Sequence, residues 1–203
     1  MFFTLEGSEG AGKSTLINSL KNYFSDKKFD FIFTREPGGT KEGQAIRNIL
    51  LDKTLELDSY SETFLILADR YEHIDRVIKP ALERNQNILS DRYIDSTFAY
   101  QGAGRGIDQK ELEYLMGILN YPKPDLTIYL DIPVEQGLNR VKKRGKSDRF
   151  EKEDMIFFER IRNFYLDLVK KNPERFLLID ATKSIEEVFN LAKDSIINKL
   201  YEK

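Results

Sequence analysis

The segment that decides the fold is Gly7-Ser8-Glu9-Gly10-Ala11-Gly12-Lys13-Ser14. It matches the pattern G-x-x-x-x-G-K-[ST] and lies between an apolar strand pattern at 1–6 and a helical pattern at 14–24, the context in which this motif forms a P-loop. Glycines allow the backbone N–H groups of the loop to face a phosphate, and the helix that follows presents its positive N-terminus to the same anion. The segment therefore predicts a nucleotide-phosphate site at the end of the first strand.

Each part of this loop has an expected role. Lys13 would reach the β and γ phosphates of ATP, and the Ser14 hydroxyl would help to hold Mg²⁺. The acidic side chain of Glu9 is expected either to face a second substrate, the phosphate acceptor, or to remain in solvent, because it would repel the ATP phosphates. The remaining ATP contacts are expected from the loop residues Gly7, Ser8, Glu9, Gly10, Ala11, Gly12 and Thr15.

Four further short apolar runs follow the loop, at 29–34, 87–90, 126–131 and 176–179, with helical patterns between them. Strands that alternate with helices and are apolar almost throughout are typical of a buried parallel sheet. We therefore predict an α/β protein with the three-layer fold of P-loop NTPases, in which helices flank a five-stranded parallel sheet, and a single domain over 1–203. Ligands of such sheets bind at the carboxyl ends of the strands.

Composition excludes several classes of protein. The chain has 203 residues and a net charge of −2, which argues against a binding surface for polymeric nucleic acid. It has no apolar run of the length that a membrane-spanning helix needs. The absence of cysteine excludes disulfides and cysteine nucleophiles, and the single histidine, His73, argues against hydrolytic triads. We expect a cytoplasmic protein in which carboxylates, Lys and Arg carry the chemistry and His73 is structural.

Two arginines stand where predicted strands end. Arg35 begins the segment REPGGT after the second strand, and Arg92 belongs to DRY after the third. Either arginine alone would be interpreted as part of a surface ion pair, but beside a P-loop the two favour a second phosphate-bearing ligand, because guanidinium binds phosphate in a bidentate manner. Asp91 follows an apolar strand and is expected to hold Mg²⁺.

The most basic stretch of the chain is RVKKRGKSDRFEK at 140–152. Arginine and lysine on a Gly-containing connection are consistent with a small lid that closes over ATP and brings positive charge to the migrating phosphoryl group. A solvated run of charge is the alternative for such a segment taken alone.

Together these motifs resemble the thymidylate kinase family, of the bacterial type that carries catalytic arginines in its lid. The resemblance runs along the whole chain and implies a nucleoside monophosphate kinase with ATP and dTMP as substrates, Mg²⁺ as cofactor and a homodimer formed by helix packing. The residues that carry it are GSEGAGKST at 7–15, REPGGT at 35–40, ADR at 68–70, DRYIDSTFAYQG at 91–102 and KKRGKSDRFE at 142–151.

The resemblance also implies roles for single residues. Arg35 and Arg92 would hold the dTMP phosphate, Arg70 and Gln101 would bind the thymine edge, and Tyr100 would pack under the sugar. The full dTMP set would be Glu9, Arg35, Ile66, Arg70, Arg92, Thr97, Tyr100 and Gln101. In the lid, Arg149 would stabilise the transferring phosphoryl group, assisted by Arg144, which would also contact ATP. The catalytic set would be Lys13, Arg92, Arg149 and Glu9.

One position departs from the family pattern. Members commonly have Phe four residues before the arginine of ADR, where it stacks on thymine, and this chain has Ile66. Positions 66 and 70 share a helix face, so Ile66 is expected to contact the base in place of a stack worth about 1 kcal/mol. Phe64 falls on another face. The departure leaves the choice between dTMP and dUMP open.

Two other functions are compatible with the motifs. The first is a kinase for another nucleoside monophosphate or for a deoxynucleoside, which would share the P-loop. The second is a P-loop switch that binds nucleotide and signals to a partner. The chain lacks the N-K-x-D and T-K-x-D sequences that read guanine, which argues against a GTPase.

Overall fold

The computed structural model describes residues 1–145, 149–150 and 153–202, with Arg144 described for its backbone only. Its centre is a five-stranded sheet in which every neighbouring pair of strands is parallel, in the order β2-β3-β1-β4-β5. The strands are β1 (Phe2–Gly7), β2 (Phe31–Arg35), β3 (Asn87–Asp91), β4 (Leu126–Asp131) and β5 (Phe176–Asp180). The predicted α/β fold with five parallel strands is confirmed.

Helices connect consecutive strands, and one more helix follows the last strand. They are α1 (Lys13–Asp26), α2 (Lys41–Leu51), α3 (Ser59–His73), α4 (Lys79–Glu83), α5 (Ile94–Thr97), α6 (Gln109–Gly117), α7 (Val134–Arg144), α8 (Met155–Lys171) and α9 (Ile185–Tyr201). Helix α3 runs into α4 through a π-helical turn at Ile74–Ile78, and α5 continues into a second one at Phe98–Gly104. Such turns are frequent at functional sites, and the second one carries Tyr100 and Gln101.

The strand bounds differ from the predicted ones by at most two residues, and at β2 the cause is local. Phe29 was predicted to open this strand, but its backbone N–H donates to the carbonyl oxygen of Phe24 at 2.9 Å and so closes the turn after α1. The ring of Phe29 also packs edge-on against that of Phe24. The strand therefore begins at Phe31.

Apolar side chains cover both faces of the sheet and produce the three layers. On one face, Leu16, Leu20 and Phe24 of α1 pack with the buried stripe of α9. On the other, Phe158 and Tyr165 of α8 are buried near Tyr129 of β4. At the start of α9, Ile185 is 67% exposed and lies at the edge of the cavity described below.

Helix starts are fixed by local polar contacts. Asp58 caps α3 and Asp154 caps α8, each through its carboxylate, and Ser184 and Glu187 form a reciprocal capping box at α9. Among the residues that the structure describes, no helix is both long and apolar enough to cross a membrane.

Candidate active site

A cavity of about 640 Å³ opens at the carboxyl ends of the strands, within the size range of small-ligand pockets. Fifteen of the predicted site residues line it: Glu9, Gly10, Ala11, Gly12, Lys13, Ser14, Thr15, Arg35, Ile66, Arg70, Asp91, Arg92, Thr97, Tyr100 and Gln101. Gly7 and Ser8 are buried and do not line the cavity. The structure thus brings the two predicted nucleotide sites into one space.

The backbone of the P-loop requires its glycines. Gly10 has a φ of +75°, and a Cβ atom at this position would lie 2.1 Å from the carbonyl oxygen of Gly137 in α7. Gly12 also has a positive φ, +93°, and starts α1 without any side-chain cap. The first N–H groups of α1 therefore remain available for a phosphate, as an anion site at a helix N-terminus needs.

Lys13 lies at the mouth of this loop. Its ammonium donates to the carbonyl oxygens of Gly7 at 2.7 Å and Ser8 at 3.2 Å. Burial, followed by the positive charge of Arg92, lowers the pKa of Lys13 to about 8. The lysine remains mostly charged at neutral pH, and its two partners are neutral carbonyls that anionic phosphates would replace favourably.

Arg92 stands opposite the P-loop and is tightly held. Its backbone is left-handed, with a φ of +68°, a conformation that costs a non-glycine residue energy. One Nη donates to Glu9 at 2.8 Å and to the Tyr100 hydroxyl at 2.8 Å, and the guanidinium lies 4.6 Å from the centre of the Tyr100 ring. Glu9 therefore faces Arg92 and Tyr100 within the cavity rather than open solvent. Arg35 is exposed at the rim and donates to Gln44 at 3.1 Å.

Glu6 supports Arg92 from behind and was not predicted. It is fully buried and accepts hydrogen bonds from the backbone N–H of Tyr93, the Ser96 hydroxyl and the Tyr165 hydroxyl, at 2.6 to 2.8 Å. Burial, then the nearby carboxylate of Asp95, raises the pKa of Glu6 to about 7. These contacts fix the turn that carries Arg92.

Arg70 is buried at the far end of the cavity. Its Nε donates to Glu36, one Nη to Thr97 and the other to the carbonyl oxygen of Tyr93. Burial would raise the pKa of Glu36, but the charge of Arg70 and the hydrogen bond from His73 outweigh it and hold the pKa below its usual value.

His73 is fully buried, with Nδ1 at 2.8 Å from Glu36 and Nε2 at 2.7 Å from Thr34. Through Glu36 it belongs to the support of Arg70 and does not line the cavity. The structural role predicted for this histidine agrees with these contacts.

The helix face that carries Arg70 also carries Ile66. Ile66 is partly buried and lines the cavity, whereas Phe64 is 55% exposed on another face of α3. The structure therefore keeps Phe64 away from the position where a base would stack.

Two residues fit a divalent cation. Asp91 and Ser14 both line the cavity, and Asp91 Oδ1 is a buried acceptor with no hydrogen-bond partner among the described residues. Within the same part of the chain, no group of three or more His, Cys, Asp or Glu is arranged to hold a metal. The pair of oxygen ligands from Asp91 and Ser14 suits Mg²⁺, which commonly takes one or two protein ligands and completes its shell with water and substrate phosphates.

The structure places Arg149 away from the predicted phosphate site. Its side chain is 10% exposed, Nη2 donates to Glu62 at 2.7 Å and Nε donates to the carbonyl oxygen of Leu50 at 2.8 Å. It does not line the cavity. In this structure Arg149 binds a buried carboxylate and joins the predicted lid segment to α2 and α3, and its role as an arginine finger stays a prediction.

The rest of the predicted lid is described only in part. The side chain of Arg144, a predicted ATP contact, lies outside the described residues, as do positions 146–148 and 151–152. Within the described part of the stretch, Arg140, Val141 and Phe150 line the cavity.

Two further arginines line the cavity without having been predicted singly. Arg47 of α2 donates to the carbonyl oxygen of Pro37 at 2.9 Å, and Arg140 of α7 donates to that of Ala181 at 3.1 Å. Arg47 lies one helical turn after Gln44, which contacts Arg35, so the shared helix face is a signal that could have identified it.

The P-loop with Lys13 lines one part of the cavity, and the guanidinium-bearing Arg92 and Arg35 line it as well. This arrangement can bring two anionic nucleotides together, which defines a P-loop nucleotide kinase. The family model described as Thymidylate kinase matches residues 5–192. The chain belongs to the thymidylate kinase family.

Individual relatives agree over nearly the whole length. The chain is 43% identical over 196 residues to the thymidylate kinase of Nitrosospira multiformis, covering 96% of each chain, and 45% identical over 188 residues to that of Nitrosomonas eutropha, covering 92% of this chain and 87% of the relative. The crystal structure of thymidylate kinase from Ehrlichia chaffeensis is similar with a TM-score of 0.78 and 34% identity, covering 97% of this chain and 98% of that one. The predicted family is confirmed.

Proposed function

We propose that this chain transfers the γ-phosphoryl group of ATP to dTMP and releases ADP and dTDP. The observation that carries the proposal is Arg92, which Glu9 and Tyr100 hold across the cavity from the P-loop. An arginine in this place suits an acceptor that already bears a phosphate. A deoxynucleoside has no phosphate for this guanidinium to bind.

The reaction is an in-line displacement between two anions. An oxygen of the dTMP phosphate forms a bond to the γ-phosphorus while the bond to the β–γ bridging oxygen breaks, and ADP leaves with that electron pair. The attacking oxygen already carries charge, so no general base is required. The main obstacle is repulsion, and positioning plus electrostatic stabilisation supply most of the catalysis.

The cationic side chains reduce this repulsion. Lys13 would exchange the carbonyls of Gly7 and Ser8 for the β and γ phosphates of ATP, while Arg92 and Arg35 hold the acceptor phosphate. Asp91 and Ser14 would hold Mg²⁺, with Asp91 acting directly or through a bound water. When bound, Mg²⁺ neutralises charge on the transferring phosphate.

The acceptor pocket is formed by residues of three elements. Glu9 and Tyr100 would contact the sugar of dTMP, with Glu9 accepting from the 3′-hydroxyl and Tyr100 leaving little space for a 2′-hydroxyl. Arg70, which Thr97 helps to orient, and Gln101 would bind the edge of the base, and Ile66 would pack on its face. The adenine of ATP would lie at the opposite end, near Arg140 and Ile185.

We also propose a homodimer that forms through an apolar patch on α3 and α6. The patch consists of Tyr60 and Phe64 of α3 and Tyr114 of α6, which are 45 to 76% exposed and line one shallow surface pocket. Large apolar side chains clustered on two neighbouring helices are typical of an interaction site. A second copy of the chain is the proposed occupant, and the substrates ATP and dTMP support a cytoplasmic location for the assembly.

The test is ADP release with ATP and Mg²⁺ across a panel of acceptors: dTMP, dUMP, UMP, CMP, GMP, AMP and thymidine. A clear maximum for dTMP supports the proposal. A maximum for thymidine would instead indicate a deoxynucleoside kinase, and a maximum for another monophosphate would replace dTMP as the substrate. Nucleotide binding without any acceptor-dependent ADP release would favour a P-loop switch.

A further inference from the structure

A buried carboxylate lies directly behind the base-binding end of the cavity. Glu62 of α3 has no exposed surface, and its two oxygens accept from Gln101, Arg105 and Arg149. Its Oε1 receives the Nε2 of Gln101 at 2.8 Å, and its Oε2 receives Arg105 at 3.0 Å and Arg149 at 2.7 Å. Gln101 itself lines the cavity.

This contact fixes the orientation of the Gln101 amide. A carboxylate paired with two guanidinium groups offers only acceptors, so the NH₂ end of the amide must face Glu62. The opposite end, Oε1, has no hydrogen-bond partner among the described residues and is left for a ligand. Gln101 therefore presents a hydrogen-bond acceptor to the cavity.

The neighbouring Arg70 presents a donor. Of its five N–H groups, four are directed to Glu36, Thr97, Met116 and the carbonyl of Tyr93, which leaves one on the cavity-lining guanidinium. A donor beside an acceptor complements a base edge that has a carbonyl next to an N–H. Thymine and uracil have this edge at O4 and N3, whereas cytosine has the opposite polarity, with an amino group next to an unprotonated nitrogen.

We propose that Glu62 is a positioning residue that sets the specificity of this site for pyrimidines with an imide N3–H, by holding the Gln101 amide in the acceptor orientation. This inference rests on the proposed function, since it concerns the acceptor of the same reaction. Glu62 does not touch the nucleotide. Glu62 excludes cytosine because binding cytosine would require the Gln101 amide to be reversed. The reversed amide would direct its carbonyl oxygen at the Glu62 carboxylate and lose a charge-assisted hydrogen bond.

The experiment compares Glu62→Gln with the wild-type protein in kcat/KM for dTMP and dCMP. A glutamine at position 62 has both a donor and an acceptor, so the Gln101 amide can adopt either orientation. The ratio of kcat/KM for dTMP to that for dCMP is expected to fall by about tenfold or more, the worth of one charge-assisted hydrogen bond. A ratio within twofold of the wild-type value would overturn the proposal, even if both activities fell together.

The matched control is Glu153→Gln. Glu153 also pairs with Arg105, at 2.7 Å, but lies on the far side of that arginine and does not contact Gln101. Its substitution is expected to leave the dTMP to dCMP ratio unchanged. A ratio that falls as far in Glu153→Gln as in Glu62→Gln would assign the effect to the general packing of Arg105 and refute a specific role for Glu62.

Loss of the buried charge could prevent Glu62→Gln from folding, so a second variant accompanies it. In Glu62→Gln/Arg105→Met one negative and one positive group are removed together, which keeps the net charge of this cluster unchanged. The same fall in the ratio is expected. Failure of the proposed function can be distinguished from failure of this inference. If the proposed function is wrong, the wild-type protein itself does not prefer dTMP. If only the role of Glu62 is wrong, the preference for dTMP remains in every folded variant.

Discussion

The placement of Arg149 leads to a prediction that separates two roles for this residue. Arg149→Met removes the guanidinium but keeps most of the apolar stem. The change deletes the donor to Glu62 at 2.7 Å and the donor to the Leu50 carbonyl at 2.8 Å. Because these partners belong to α3 and α2, the loss is expected to reduce the stability of the fold rather than the rate of phosphoryl transfer.

The magnitude follows from the two bonds. Both bonds have the charged guanidinium as donor, and each bond of this kind contributes about 1.5 to 3 kcal/mol, so the two together contribute at least about 3 kcal/mol. Glu62 keeps Arg105 and Gln101 as partners, so its carboxylate is not left unpaired. A total of about 3 kcal/mol corresponds to a fall in Tm of roughly 6 to 12 °C for a chain of about this length.

The assay combines thermal unfolding, followed by circular dichroism, with kcat measured at 25 °C. We expect the fall in Tm together with a loss of less than tenfold in kcat. An unchanged Tm with a loss of about 10³ or more, the effect of removing an arginine finger, would refute the structural role. Arg144→Ala is the comparison. If Arg149 is structural, Arg144 is the remaining predicted lid arginine that can act on ATP. The large loss in kcat, without the fall in Tm, is therefore expected for Arg144→Ala.

Three further predictions concern stability, affinity and assembly. The pKa of Glu6 is raised from 4.5 to about 7, so the folded state binds the proton more tightly than the unfolded one. The free energy of unfolding of the wild-type protein is therefore expected to fall relative to that of Glu6→Gln as the pH rises from 4.5 to 7. Urea unfolding of both proteins at several pH values measures this difference. A difference in unfolding free energy that is constant with pH would contradict the prediction. Ile66→Phe is expected to lower the KM for dTMP about fivefold by restoring a stack worth about 1 kcal/mol, and an unchanged or higher KM would show that the base does not lie on this residue. Phe64→Glu is expected to convert a dimer into monomers in sedimentation experiments, whereas a wild-type protein that is already monomeric at micromolar concentration would exclude the proposed interface.

The sequence predicted the features that depend on local chemistry. The P-loop was identifiable because glycines at 10 and 12 are required by the backbone itself, and the strands because each is a short apolar run. Arg92 and Asp91 were identifiable because residues that follow parallel strands meet at one edge of the sheet. These inferences depend only on the local sequence around each residue and on the topology of the fold.

The contacts that the sequence did not reveal join distant segments. Glu62 and Arg149 are 87 residues apart, and Glu6 and Ser96 are 90 residues apart. The sequence does not distinguish Arg149 from the other basic residues of the predicted lid. Only the three-dimensional structure shows that its partner is a buried carboxylate. Glu6 reads in sequence as one polar residue within an apolar strand, which gives no indication of what it supports.

The most direct test of the account follows the phosphoryl group itself. The protein is incubated with Mg²⁺, dTMP and ATP labelled at the γ position, and the products are separated by chromatography. We expect the label in the β-phosphate of dTDP, with one dTDP formed for each ADP, and almost none with Lys13→Met. Label recovered only as inorganic phosphate, or ADP formed without dTDP, would contradict the proposed reaction.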